Sequence, residues 1–79
     1  MIANIRAGRP LDRAVSLARE HGAALIEAES LWERAKFHVA MGNRQFARED
    51  ADRALVIFVR LGSPLAVRVR QWITSLDPL

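Results

Sequence analysis

The sequence predicts an all-α chain of about four helices, folded as antiparallel hairpins in the manner of an α-solenoid fragment. Three observations carry this. Glycine and proline at Gly8, Pro10, Gly22, Gly42, Gly62, Pro64 and Pro78 divide the chain into segments of helical length. Within those segments apolar residues recur three and four positions apart, without strand-like alternation. The string Arg13-Ala14-Val15-Ser16-Leu17, with Gly22, Leu25 and Trp32, returns 40 positions later as Arg53-Ala54-Leu55-Val56-Ile57, with Gly62, Leu65 and Trp72. A period of this size marks stacked units that bury their apolar faces only against one another.

The first helix is expected from about Pro10 to His21. Proline suits a first turn, where its missing N–H has no partner to lose, and Gly22 suits the left-handed position just past the end. Leu11, Ala14, Val15 and Ala18 form its inward face, with Arg13, Arg19 and Glu20 outward. Residues 1–9 form an N-terminal tail or short helical turn, with Ile2 and Ile5 available for packing. Helix two runs from about Ala24 to Met41 and closes at Gly42. Its main stripe is Leu25, Ala28, Leu31, Trp32, Ala35 and Val39, and a second stripe of Ile26, Phe37 and Met41 marks burial on two sides.

Helix three runs from about Arg44 to Leu61, with Ala47, Ala51, Ala54, Leu55, Phe58 and Leu61 toward its neighbour. Glu49 and Arg53 support it at i, i+4. Val56 and Val59 stand among Gln45, Glu49, Asp52 and Arg60 on its other face, as a candidate docking surface. The turn Gly62-Ser63-Pro64 ends one helix, caps the next through the serine hydroxyl and supplies a first-turn proline. Helix four follows from about Pro64 to Leu76 with Leu65, Val69, Trp72, Ile73 and Leu76 on one face, and Asp77-Pro78 stops it. The single helical domain thus spans residues 10–77.

Composition bounds the rest. At 79 residues the chain forms one small domain whose core alone gives little stability, so association with a second copy or a longer array is expected. Hydrophobic residues make up 51% and charged residues 27%, too apolar for disorder and too interrupted by charge for a membrane span. No cysteine is present, which excludes disulfides and thiolate metal sites. The start Met-Ile-Ala-Asn-Ile-Arg lacks the pattern of a secretory signal, so a cytoplasmic location is expected. Net charge is +3, and eleven of the twelve basic residues are arginine, with Lys36 the only lysine. A charge this modest does not by itself argue for nucleic acid.

The string Met41-Gly42-Asn43-Arg44-Gln45-Phe46-Ala47, followed by Ala54-Leu55-Val56-Ile57-Phe58 and Leu61-Gly62, resembles a tetratricopeptide repeat. Gly42 matches the turn glycine of that motif, Ala47 and Ala54 the two small residues of its second helix, and Ala35 the small residue of its first. The sequence departs from the motif at Arg44 and Ala51, where the family often has aromatic residues. The 40-residue spacing is similar to variant repeats near the C-terminal ends of large bacterial signalling proteins and regulators. This resemblance implies protein recognition through a groove lined by the first helix of each repeat, here helices two and four. Glu29, Lys36, Arg68 and the edges of Trp32 and Trp72 would reach such a groove.

No catalytic, cofactor or metal site is expected. His21 and His38 stand 17 positions apart, too far for a helical metal pair; His21 suits a helix end and His38 a partly buried packing role. Glu27, Glu29 and Glu33 read as a solvated helix face. Asp50 and Asp52 lack the glycine and terminal glutamate of a calcium loop. The expected function is therefore a non-enzymatic interaction or self-assembly module that binds a protein partner or itself. The alternative is a small helical DNA-binding protein with the helix after Gly62-Ser63-Pro64 in the groove, carrying Arg68 and Arg70. Against it, that helix is rich in Val67, Val69, Trp72 and Ile73 and offers few polar groups to bases or phosphates.

Overall fold

The computed structural model describes the backbone of residues 2–76 and the side chains of residues 9–76. Four α-helices follow in order: α1 Ile2–Glu20, α2 Ala24–Ala40, α3 Arg44–Arg60 and α4 Leu65–Leu76. Among the described residues there is no strand. Among the described residues no helix is long and apolar enough to cross a membrane.

The three turns share one backbone solution. Gly22, Gly42 and Gly62 have φ of 65°, 81° and 68°. In each turn the glycine N–H donates to the carbonyl three residues back, and the next residue's N–H donates to the carbonyl five back, as in Asn43 to His38 at 2.8 Å. These paired bonds satisfy carbonyls that a helix end would otherwise leave open, and they require a left-handed residue. Alanine at Gly42 would touch nothing within 4 Å, so its cost is purely conformational. Gly42→Ala is expected to cost roughly 1–2 kcal/mol in chemical denaturation. A synthetic chain with D-alanine at that position should instead match or slightly exceed the parent stability, by up to about 1 kcal/mol. Equal losses for both isomers would mean that packing, not φ, governs the turn.

The start of the first helix differs from the sequence expectation. Helix α1 begins at Ile2, and Pro10 lies inside it rather than in its first turn. A proline ring holds φ near the helical value, so Pro10 removes one backbone hydrogen bond without turning the chain out of the helix. Packing of Ile2 and Ile5 lies outside the described side chains, as does the stop at Asp77-Pro78. At the other end, Ser63 caps α4 as its type suggests: its Oγ accepts from the Leu65 N–H at 3.1 Å.

Packing follows chain order, α1 on α2, α2 on α3 and α3 on α4. Links of a few residues between packed neighbours make each pair antiparallel. Helix α3 buries Ala47, Ala51, Ala54 and Phe58 on a single face, yet it packs against both α2 and α4. Both neighbours therefore share that face and stand on the same side of α3. The shortest extent of the molecule, 15 Å, fits two helix layers whose axes lie about 8–10 Å apart. Alanine at Ala28, Ala35, Ala47, Ala51 and Ala54, all fully buried, lets the backbones of α2 and α3 approach closely around Leu31 and Phe58.

The outer edges of two expected stripes are not covered. Leu25 and Leu61 were assigned inward by spacing, but they are 47% and 48% exposed. Leu25 lies in the first turn of α2 and Leu61 in the turn beyond the end of α3, and among the described residues no element covers either. Ile26, from the second stripe of α2, is also exposed, while Phe37 and Met41 are half-buried.

The 40-residue echo does not extend to the burial pattern of α4. The positions 40 beyond the fully buried Ala28, Leu31 and Ala35 are Arg68, Gln71 and Ser75, and all three are exposed. The buried set on α4 is Ala66, Val69, Ile73 and Leu76, and the first three repeat the spacing of Ala28, Leu31 and Ala35 at an offset of 38. Two residues correspond to about 200° around a helix, so α4 is rolled to nearly its opposite face relative to the echo. Burying Arg68 and Gln71 without partners would cost more than the match of the two tryptophans gains. The tryptophans are thus not equivalent in the fold, and Trp72 takes the position that corresponds to Arg34.

Candidate functional site

The polar centre of the molecule is built by α2 and α3 together. Arg34 and His38 lie one turn apart on α2, facing Asp50 in the second turn of α3. Arg34 donates from Nε to Asp50 Oδ2 at 2.8 Å and from Nη2 to Asp50 Oδ1 at 2.9 Å, a two-pronged pair. Its remaining terminal nitrogen, Nη1, donates to Asp12 Oδ1 on α1 at 3.0 Å. One guanidinium therefore ties three helices. His38 Nε2 stands 3.4 Å from Asp50 Oδ2, and Arg53 approaches the other carboxylate oxygen at 4.0 Å. The hydrogen bonds that Arg34 donates to Asp50 raise its pKa above the already high usual value, against the opposing pull of burial and with help from both carboxylate charges.

Asp50 is only 5% exposed and is the one buried charged residue among those described. By residue type alone Asp50 suggests no more than a calcium ligand without its loop, and nothing in the sequence pattern distinguishes Arg34. The signal was present: Asp50 falls three positions after Ala47 and four before Ala54, on the same face as the alanine stripe. A carboxylate on a core face needs a cation, and α2 supplies one. Beside the pair lies a cleft of about 310 Å³ lined by Arg9, Asp12, Arg34, Phe37, His38, Met41 and Asn43. Its strongest donor, Arg34, is already engaged by two carboxylates, so the arrangement works as a structural clamp between three helices. Among the described residues no group of three or more His, Cys, Asp or Glu side chains could hold a metal ion.

The interaction candidates do not form one surface but lie on three helices. Glu29 and Lys36 are exposed on the open face of α2, with Trp32 half-buried between them. The Lys36 ammonium lies 4.2 Å from the Trp32 ring centre and pairs with Glu33 at 3.2 Å. On its inner side Trp32 meets the Phe58 ring edge-on, centroids 6.4 Å apart, and its buried indole N–H has no hydrogen-bond partner. Val56 and Val59 are exposed on the outer side of α3. On α4, Arg68 is exposed and Trp72 is half-buried against the core. At the 38-residue offset the counterparts of Glu29, Trp32 and Lys36 are Val67, Arg70 and Thr74, all exposed, rather than Arg68 and Trp72. The roll of α4 that produces this exchange comes from tertiary packing.

Sequence reasoning also missed an apolar groove of about 340 Å³ where α1 meets α2. It is lined by Ala14, Leu17, Ala18, His21, Ala23 and Ile26. Compared with protein-family models, with curated proteins and with solved structures, the chain shows no significant match.

Proposed function

We propose that the chain is a non-enzymatic protein-recognition module of tetratricopeptide-like helix hairpins, engaging its partner through the open face of α2. The observation that carries this reading is Trp32. A large aromatic ring lies partly exposed on a helix face, backed by Phe58 and flanked by Lys36. Such an anchored aromatic beside a cation is the kind of residue that dominates protein interfaces. The hairpin architecture is supported by packing in chain order, by three turns of one geometry and by the spacing of buried residues that α2 and α4 share.

On this reading the partner also meets Glu29 on α2 and, on α4, Val67 and Arg70. The outward Val56 and Val59 lie on α3 and form a separate surface. The test is affinity capture from the protein's native cells with the parent chain and with a Trp32→Ala, Lys36→Glu variant, helicity being checked by circular dichroism. A partner should be retained by the parent and bound about 30-fold or more weakly by the variant, as removal of an interface anchor predicts. Identical capture by both chains, or none by the parent, would overturn the proposal.

A further inference from the structure

The groove between α1 and α2 has two kinds of lining. Its floor is small, with Ala14, Ala18 and Ala23. Its rim is bulky: Leu17 is 40% exposed and Ile26 55% exposed. No described segment of the chain covers it. The geometry points to a second copy of this chain as the occupant, docked about a two-fold axis through this groove. The inference rests on the reading of the chain as an interaction module and names a surface distinct from the Trp32 face.

Two features select a second copy over other occupants. First, the patch is self-complementary. It carries an alanine-floored hollow and adjoining bulky side chains, so a two-fold axis can set the rim of each copy into the floor of the other. Second, the charges beside it suit an antiparallel meeting of two α1 helices. Arg13 and Glu20 flank Leu17 on one shallow depression of α1, one turn before it and one turn after it. When α1 crosses its copy near Leu17, Arg13 comes opposite Glu20 of the partner subunit, and Glu20 opposite Arg13 of the partner subunit. A rim of single sign would repel its own copy; this one pairs with it.

The far end of the molecule argues for closure at two copies. Helix α4 turns Arg68, Gln71, Thr74 and Ser75 outward, leaving Val67 as its large exposed apolar residue. That surface offers the groove a single valine among polar side chains, against the paired Leu17 and Ile26 of the α1–α2 rim, so head-to-tail growth into a filament is less favoured than a two-fold pair. A polar outer face is also what a terminal unit of a helical array requires.

The experiment is light scattering on a sizing column at two concentrations tenfold apart, with the parent chain, Ile26→Glu and Val59→Glu. The parent should approach twice the chain mass at the higher concentration and go no further. Ile26→Glu should remain at the single-chain mass throughout with its helicity intact, since its site is more than half exposed, and Val59→Glu should behave as the parent. A monomeric parent at both concentrations, growth beyond two copies, an Ile26→Glu dimer, or loss of the dimer in Val59→Glu would each overturn the inference. Failure here is distinguishable from failure of the recognition proposal, because the Trp32→Ala, Lys36→Glu chain retains the groove and should still dimerise.

Discussion

Replacing Asp50 by alanine is expected to destabilise the fold by about 3–5 kcal/mol, as removal of one partner from a buried ion pair does. The loss arises mainly on the other side of the pair. Arg34, whose side chain is 18% exposed, would keep its charge while losing both bonds to the carboxylate, leaving Asp12 as its remaining partner. The Asp12 carboxylate is 65% exposed, and such contacts contribute only about 0–1 kcal/mol. A domain of this size has little stability to spare, so the single variant should be largely unfolded in urea concentrations that the parent tolerates. The paired change Arg34→Met with Asp50→Leu removes both charges and fills the space, and should lie much closer to the parent. Urea titration followed by the fluorescence of Trp32 and Trp72 measures all three chains. A single variant within about 1 kcal/mol of the parent would show that the pair is not the clamp of the three helices.

The second large effect is expected at Phe58. It is the largest of the fully buried side chains, and it sits where α2 and α4 share the face of α3. Phe58→Ala should cost about 3–5 kcal/mol through lost transfer energy and the cavity left behind. It also removes the edge-on contact with Trp32, so the Trp32 emission should shift before the global transition is reached. Phe58→Leu keeps most of the volume and should lose markedly less. Similar losses for both variants would mean that ring stacking, rather than filled volume, holds the site. Because Phe58 backs the proposed recognition residue, a folded Phe58→Leu chain should also bind its partner more weakly while leaving the α1–α2 groove unchanged.

Much of the architecture was legible locally. The glycines at positions 22, 42 and 62 mark the turns because only a residue without a side chain adopts their φ without strain. The three-and-four spacing of Ala14, Val15 and Ala18, of Ala28, Leu31 and Ala35, and of Val69, Ile73 and Leu76 marks which residues turn inward. Pro10 was misleading because its φ is compatible with a helix interior as well as a first turn. The echo held for the turn glycines but was misleading for the tryptophans, because the buried residues of α2 recur on α4 at an offset of 38 rather than 40.

The candidate site was less legible for a different reason. An apolar stripe tells which side of a helix avoids water, but not how much of it a neighbour covers. Leu25, Leu61 and Ile26 match buried residues in type and are exposed because no helix lies over them. Asp50 is polar in type and buried because Arg34 of another helix meets it.

The sequence by itself determined the four helices and the turns between them, since those depend on backbone preferences and on periodicity within a few residues. Only the tertiary structure decided the roll of α4, the Arg34–Asp50–Asp12 clamp and the open groove beside Ile26. Each of these is a relation between side chains on separate helices, fixed when all apolar faces compete for the same limited contact area.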